Sequence, residues 1–163
     1  MADQGIVIRA ATPADRDDIV ALHRDLTAFE APLTNDRDTS LEAAEVAFAD
    51  LETTIARTNG ALLVAVDGAD TPIGYASLLF GEDDAYIRQD LRRYAVIEDI
   101  YIADRYRGSG VGRALIAELE ERARARGVKR LAVSFVARNE VARSTYESFG
   151  FRPYVFQYVK DIS

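Results

Sequence analysis

One stretch of the chain constrains its fold more than any other: "VIEDIYIADRYRGSGVGRALIAELEERARARG", from Val96 to Gly127. It joins an apolar strand that carries two carboxylates to a glycine-rich turn and then to an amphipathic helix. Glycine has no Cβ, so the main chain turns sharply there and a ligand can approach it closely. Free N–H groups in such a turn and at the start of the helix attract an anion. The pattern predicts a pyrophosphate site, and its alternative is a connection that binds no ligand.

Two better-known phosphate loops do not match this turn. The P-loop has Lys and then Ser or Thr after its last glycine, whereas Arg113 and Ala114 follow Gly112 here. The dinucleotide fingerprint G-x-G-x-x-G, counted from Gly108, would need a third glycine where Arg113 stands. The turn is therefore a phosphate-binding candidate of another kind, with arginines on both sides of it.

The composition argues against several kinds of site. The 163 residues, 48% of them hydrophobic, predict one domain over residues 1–163 with a substantial core. The absence of cysteine excludes disulfides, thiolate metal sites and a cysteine nucleophile, and a single histidine, His23, argues against a metal centre. The net charge of -7 argues against nucleic-acid binding. With no apolar run of membrane-spanning length and no signal peptide pattern at the start, we expect a cytoplasmic protein that does not bind membranes.

Strand and helix patterns alternate in the first half of the chain. A short strand, "GIVIRAA", precedes a helix that Thr12 caps and that ends near "AFEAP". Ser40 caps a second helix that ends near Arg57. "ALLVAVD" and "PIGYASLLF" predict two strands, and the turn-rich "GADT" between them predicts an antiparallel hairpin.

The second half continues this alternation. The strand "YAVIEDIYIA" leads through the glycine turn to a helix that ends near Arg126. A strand "RLAVSFV", a short helix "NEVARSTYESFG" and a last strand "FRPYVFQYV" follow. This order predicts one α/β (α+β) domain with a mixed sheet flanked by helices.

Two spaced motifs resemble those of a known family. "R-x-x-G-x-G" at Arg105, Gly108 and Gly110, between an apolar strand and a helix, is similar to the acetyl-CoA motif of the GNAT superfamily of N-acetyltransferases. Downstream, that family has an Asn after its fifth strand and a Tyr seven residues later, and Asn139 and Tyr146 stand there, followed by "GF".

The resemblance implies a mostly antiparallel sheet that splays between its fourth and fifth strands, with acetyl-CoA as cosubstrate and no metal. The turn's amides would hold the CoA pyrophosphate, amides near the end of the fourth strand would bind the thioester carbonyl, and the pantetheine arm would lie in the gap. The residues expected to contact the cofactor are Ile100, Tyr101, Ile102, Arg107, Gly108, Ser109, Gly110, Val111, Gly112, Arg113, Asn139 and Ala142.

A closer resemblance links the chain to the diamine (spermidine/spermine) acetyltransferases, through "IEDIYI" and "YRGSGVG". It implies that Phe29 and Glu30 line the amine site, that Glu98 is the catalytic base through water, and that Tyr146 is the acid. The sequence departs from that branch at "APLT" and in the longer "FGEDDAYIRQDLRRYA" loop. The acceptor therefore stays open between a small cationic amine or polyamine and an amino acid, aminoglycoside or protein N-terminus. A non-catalytic CoA-binding module is the remaining alternative.

The two carboxylates also support a proton-transfer role by their own chemistry. An aliphatic amine has a pKa of about 10, so it arrives protonated and something must accept its proton. Burial in an apolar strand would raise the pKa of Glu98 toward a useful range; the alternative is an ion pair with Arg92 or Arg93. Because side chains alternate along a strand, we expect Glu98 and Asp99 on opposite faces. Asp99 would then be a structural hydrogen-bonding residue, for example at a bulge.

The other candidates each have a structural alternative. Tyr146 could protonate or hold the CoA sulfur, or it could be an aromatic core residue of a helix. Asn139 could cap that helix, contact CoA, or do both. His23 is expected to be a packed histidine rather than a base, and Phe29 and Glu30 could line the amine pocket or end the first helix. Without cysteine, direct attack of the amine in a ternary complex is the simpler route.

The C-terminal "FRPYVFQYVKDIS" alternates aromatic and polar residues as a strand does. The resemblance implies a homodimer with this strand near the interface, although a terminal core strand of a monomer would show the same pattern.

Overall fold

The computed structural model describes residues 5–162, in which five strands form one sheet. The strands are β1 Val7–Ala10, β2 Ala61–Val66, β3 Pro72–Glu82, β4 Arg93–Ile102 and β5 Leu131–Val133, and they lie in the order β1-β2-β3-β4-β5. The first four strands pair antiparallel with their neighbours, and β5 lies parallel to β4. The predicted mixed sheet and the β2–β3 hairpin are confirmed.

Four helices cover the two faces of the sheet. They are α1 Arg16–Thr34, α2 Leu41–Thr58, α3 Val111–Ala125 and α4 Glu140–Ser148. The helix α1 ends close to the predicted "AFEAP": it continues two residues past Pro32, to Thr34, and Asn35 after it adopts a φ of 61°. The predicted cap of α2 is confirmed, since the Ser40 Oγ accepts a hydrogen bond of 3.1 Å from the Ala43 amide.

The sheet separates two apolar layers, which decide where the site can form. On one face, α3 buries Leu115 and Leu119 against Ile97 of β4. On the other face, α1 and α2 bury Ile19 and Phe48 against the sheet. A ligand between the layers must therefore enter where the sheet itself opens.

The sheet opens between β4 and β5, as predicted. These strands pair over only three residues each, and the last pair is Ile97 with Val133. Beyond Ile97, β4 runs on for five more residues, to Ile102, without a β5 partner. The unpaired end of β4 leads, through a single 3-10 turn at Asp104–Tyr106, to the glycine turn that begins α3.

The predicted last strand "FRPYVFQYV" is not formed. Residues 151–162 belong to no helix or strand, and Tyr158 and Val159 are 93% and 92% exposed. The alternating pattern gives the segment two distinct faces, but a strand also needs a neighbouring strand for its backbone hydrogen bonds. Within the described part of the chain this segment has no such neighbour.

Among the described residues, no helix is both long and apolar enough to cross a membrane.

Candidate active site

A β-bulge in β4 organises the candidate site. The register of β3 against β4 shifts at Ser77, which faces both Glu98 and Asp99. Ser77 is fully buried, and its Oγ accepts a 3.0 Å hydrogen bond from the Asp99 amide. The hydroxyl thus satisfies a backbone donor that the bulge removes from the regular ladder.

The bulge turns both carboxylates to the same face of the sheet. Ile97 and Ile100 both pack in the layer under α3, although they are three residues apart, so the two residues between them face α1. Glu98 and Asp99 accordingly line the same two cavities. The expectation that they lie on opposite faces is wrong, because the extra residue interrupts the two-residue period of the strand.

Asp99, not Glu98, is the carboxylate that burial affects. The Asp99 side chain is only 19% exposed. Burial, together with the negative charges of Glu98 and Glu30, raises the pKa of Asp99 from 3.8 to about 7. Glu98 is exposed, so the predicted desolvation of its carboxylate is wrong. Glu98 also makes no ion pair with Arg92 or Arg93 among the described residues.

His23 of α1 packs beside Asp99. Its ring lies 5.9 Å from that of Phe48, which agrees with the expected packed histidine. Its Nδ1 is also 2.8 Å from the Tyr75 hydroxyl and 3.5 Å from Asp99 Oδ2. Burial lowers the pKa of His23, so the imidazole is favoured in its neutral form.

Two cavities meet at the carboxylate pair. The larger, of about 260 Å³, lies against α1 and α2 and is lined by His23, Asp50 and Thr54 as well as by the pair. The smaller, of about 90 Å³, lies in the gap between β4 and β5 and is lined on its far side by Tyr146. We call them the helix cavity and the gap cavity. Glu98 and Asp99 line both cavities, so a group in either cavity would lie beside these two side chains.

Tyr146 of α4 closes the gap cavity. It is buried between the rings of Phe135 and Phe151, at centroid distances of 5.4 and 5.6 Å, so the aromatic-core alternative describes its ring correctly. Its hydroxyl makes no hydrogen bond to any protein group within residues 5–162. Burial, and then the charges of Asp99 and Glu30, raise the pKa of Tyr146 to about 12. The phenol therefore keeps its proton at neutral pH.

The predicted cap of α4 is confirmed. The Asn139 Oδ1 accepts a 3.0 Å hydrogen bond from the Ala142 amide, and both residues line the gap cavity. Because Asn139 already occupies that amide, Ala142 can meet a ligand only through its methyl group or carbonyl.

The glycine turn leaves a series of main-chain amides without a protein acceptor. Gly108 and Gly110 have φ angles of 75° and 90°, which L side chains rarely adopt. The amides of Arg107 and Ser109 bond within the turn, and the amide of Ala114 bonds to the Gly110 carbonyl. Within residues 5–162, no protein oxygen accepts from the remaining amides between these, which belong to Gly108, Gly110, Val111, Gly112 and Arg113. This is the cradle of free N–H groups that the sequence predicts, at the N-terminus of α3.

Two arginines near the turn are held by the protein. The Arg107 Nε donates to the Ile102 carbonyl at 3.2 Å, and its guanidinium lies 4.7 Å from the centre of the Phe29 ring. The Arg113 guanidinium lies over Phe149 at 4.5 Å. These contacts hold the two guanidinium groups in place more firmly than solvent holds the side chain of an unbound arginine.

The predicted aromatic–Glu pair is only half brought to the site. Glu30 lines the gap cavity, and its Oε2 accepts hydrogen bonds from Arg37 at 3.2 and 3.3 Å. Phe29 lies under Arg107 instead and lines neither of the two cavities. Both residues lie inside α1, so the alternative that they end this helix is wrong.

The end of β4 presents two amides to the gap. The Ala103 amide donates to the Ile73 carbonyl of β3, and N–H directions alternate along a strand. The amides of Ile100 and Ile102 therefore point toward the β5 side, where β4 has no partner. The Tyr101 amide points into the sheet, so the expectation that it faces the gap is wrong.

No three His, Asp or Glu side chains of residues 5–162 come together as a group that could hold a metal ion.

The fold, with an open sheet beside a turn of free main-chain amides, is that of an acyl-group transferase, and comparisons with known proteins agree. The model of the acetyltransferase (GNAT) family matches residues 22–151. The chain belongs to this family and is an acetyltransferase.

Named relatives carry acetyltransferase activities. The chain is 30% identical over 144 residues to the L-methionine sulfoximine/L-methionine sulfone acetyltransferase of Pseudomonas aeruginosa. The aligned region covers 88% of this chain and 78% of that protein. The protein of the same name from Pseudomonas paraeruginosa is 31% identical over the same shares of both chains.

Solved structures show the same fold. A Bacillus halodurans protein matches with a TM-score of 0.83 at 20% identity, over 96% of this chain and 99% of that one. The aminoglycoside antibiotic 6'-N-acetyltransferase of Acinetobacter baumannii matches with a TM-score of 0.70 at 19% identity, over 98% and 100% of the two chains. The expected GNAT fold is confirmed.

Two features of the site escaped the sequence reasoning, namely the burial of Asp99 and its contact with His23. A signal for the first was present, because two consecutive acidic residues interrupt an otherwise apolar strand. Nothing in the sequence points to the second, which joins residues far apart in the chain.

Proposed function

We propose that the chain, as one catalytic domain over residues 1–163, transfers the acetyl group of acetyl-CoA to the primary amine of a small molecule by direct attack in a ternary complex. One observation carries the proposal: the gap cavity is lined by the Asp99 carboxylate, the Tyr146 phenol and Ile100, and β4 continues from there toward a turn with free N–H groups. The carboxylate suits an amine, the phenol and the strand amides suit a thioester, and the amides of the turn suit a diphosphate.

Acetyl-CoA would bind as an extended molecule across this end of the sheet. The free amides of Gly108, Gly110, Val111, Gly112 and Arg113 bind the diphosphate, with the α3 dipole adding to the attraction. The pantetheine arm runs through the gap past Asn139. The amides of Ile100 and Ile102 donate to the thioester oxygen and stabilise the negative charge that develops on it.

The remaining side chains divide the work of the reaction. Glu98, exposed where the two cavities meet, attracts the cationic amine. Tyr146 donates a proton toward the CoA sulfur as the carbon–sulfur bond breaks, since its raised pKa keeps the phenol protonated until then. Glu30 adds a further negative charge at the gap cavity.

The acceptor is proposed to be a compact amine. The helix cavity of about 260 Å³ has room for a group of amino-acid size, and the carboxylates around it favour a cation. The relatives named for L-methionine sulfoximine and its sulfone favour an amino-acid acceptor. A polyamine fits the charge of the site equally well, so it stays as the second candidate.

A single assay tests the proposal: release of free thiol from acetyl-CoA in the presence of a panel of amines. The panel holds L-methionine sulfone, spermidine, an aminoglycoside and a short peptide with a free N-terminus. We expect amine-dependent thiol release with the sulfone or with spermidine, and mass spectrometry should find the amine heavier by one acetyl group. Calorimetry that finds no CoA binding, together with no thiol release for any amine, would refute the proposal.

We also propose that the enzyme works in the cytoplasm as a homodimer. The support for a dimer is the C-terminal segment 151–162, whose exposed apolar side chains include Phe156 and Tyr158. Light scattering after gel filtration tests this, since a dimer has twice the 18.0 kDa mass of the chain. Deleting residues 154–162 should then halve the measured mass; a wild-type protein that elutes as a monomer contradicts the dimer.

A further inference from the structure

We infer that Asp99, rather than Glu98, accepts the proton of the attacking amine, because the bulge holds its carboxylate where the helix and gap cavities meet. This inference rests on the proposed function and assigns one step within it. Glu98 keeps the separate task of attracting the cation.

The position of Asp99 is built into the fold. Its amide is bonded to the buried Ser77 hydroxyl, and its carboxylate faces His23 of α1 at 3.5 Å. Its oxygens therefore have little freedom to leave the site. Glu98 has no such partner within residues 5–162, and its exposed side chain is free to sample solvent.

Burial suits Asp99 to proton transfer from an amine. A carboxylate in water has a pKa about six units below that of an aliphatic amine, so it holds such a proton very rarely. The pKa of about 7 that burial and neighbouring charges give Asp99 roughly halves this difference. It also lies near neutral pH, where a general base is most effective.

Titratable groups from five elements lie around this carboxylate. They are His23 and Glu30 of α1, Asp50 of α2, Tyr75 of β3, Glu98 of β4 and Tyr146 of α4. The charges of Glu98 and Glu30 raise the pKa of Asp99, and Arg37 partly offsets the charge of Glu30 by binding it. His23 adds no opposing positive charge in its favoured neutral form.

The protons balance over the reaction. The ammonium group gives one proton to the Asp99 carboxylate, and the neutral nitrogen attacks the thioester carbon. The carbon–nitrogen bond forms, the carbon–sulfur bond breaks, and Tyr146 gives its proton to the leaving sulfur while it regains one from the nitrogen. The products are the N-acetyl amine and CoA with a free thiol, and Asp99 finally releases its proton to solvent.

The two proton transfers are coupled through charge. The negative charge of Asp99 raises the pKa of Tyr146. When Asp99 takes the amine's proton, that charge disappears, so the pKa of Tyr146 falls and its proton becomes easier to give. Proton uptake at Asp99 thus prepares the proton donation at the sulfur.

The test compares Asp99→Asn with Glu98→Gln, a matched control that also replaces a carboxylate by an amide in the next residue. L-methionine sulfone and spermidine are the probes, and kcat/KM is measured against pH. In the wild type we expect activity to fall below a midpoint near pH 7. Asp99→Asn should lower kcat about 100- to 1,000-fold and abolish this fall. Glu98→Gln should raise KM for the amine and keep the fall, with its midpoint at lower pH.

The opposite pattern, in which Glu98→Gln abolishes the pH dependence and Asp99→Asn keeps it, would overturn the inference. CoA binding by calorimetry checks that both variants fold. A measurement without turnover separates this inference from the proposed function: the carboxyl carbon signal of Asp99 in ¹³C NMR, identified by its loss in Asp99→Asn. We expect this signal to titrate near pH 7, and a midpoint near the ordinary value of about 4 would overturn the inference even if acetyl transfer is observed.

Discussion

Replacing Gly110 by Ala tests the diphosphate cradle directly, because Gly110 is the last residue of the turn before α3 begins. Its φ of 90° strains any L residue, and a Cβ built there meets no heavy atom within 4 Å. The added methyl group would therefore project into open space at the turn where the diphosphate is proposed to bind. Gly127, beyond the end of α3, is a matched control, because its φ is 70° and its Cβ also meets nothing within 4 Å.

The structure separates two effects of these changes. The positive φ should cost each variant about 1–2 kcal/mol of stability, since the strain is similar at both positions. Only Gly110→Ala should also lose a hydrogen bond between an amide and a charged phosphate oxygen, which is worth about 1.5–3 kcal/mol. That loss corresponds to a Kd for CoA that rises about 10- to 150-fold.

Two measurements are needed, the free energy of unfolding in urea and the Kd for CoA by calorimetry. We expect both variants to lose stability by similar amounts and only Gly110→Ala to lose CoA affinity. Pantetheine, which lacks the diphosphate of CoA, should bind wild type and Gly110→Ala with the same Kd. If CoA binds Gly110→Ala as tightly as it binds Gly127→Ala, the turn does not hold the diphosphate and the reasoning fails.

Three further changes probe the bulge and the proton transfers. Ser77→Ala leaves the Asp99 amide buried without an acceptor, so the free energy of unfolding should fall by about 1–3 kcal/mol. The control Thr53→Ala, on the exposed face of α2, should change the free energy of unfolding little. Equal effects of the two changes would contradict the role of the Ser77 hydroxyl. Tyr146→Phe should lower kcat with little change in the Kd for CoA, and unchanged kcat would exclude Tyr146 as the proton donor. The folded state holds the Asp99 proton up to about pH 7, so the free energy of unfolding should fall as pH rises from about 4 to about 7, by at most about 4 kcal/mol. Asp99→Asn should remove this decline and Asp50→Asn should keep it, and a decline that persists in Asp99→Asn would refute the pKa assignment.

Much of the fold could be predicted because it rests on local patterns. The hairpin of β2 and β3 follows from two apolar runs joined by "GADT", and the caps at Ser40 and Asn139 follow from side chains that bond to the next turn. The glycine turn belongs to the same class, since its positive φ angles at Gly108 and Gly110 are conformations for which glycine is the preferred residue.

The features that could not be predicted depend on contacts between distant parts of the chain. Whether "FRPYVFQYV" becomes a strand depends on a partner edge, which its own pattern does not supply. Whether Glu98 or Asp99 is buried depends on how deeply each side chain lies against α1, and therefore on the register of β3 against β4. Alternation assigned the faces wrongly because one extra residue in β4, opposite Ser77 of β3, shifts every later position of β4.

The extra residue in β4 accounts both for the gap between β4 and β5 and for the pair of carboxylates. Pairing of β4 with β5 ends at Ile97, immediately before the bulge, so the strand leaves its neighbour where its register changes. A bulge bends and twists the strand that carries it, which opens the gap that acetyl-CoA is proposed to enter. It also turns Glu98 and Asp99 together toward α1 and brings Asp99 beside His23. A regular β4 would extend the pairing with β5 and send one carboxylate to the other layer, so it would lose the gap and the carboxylate pair at once.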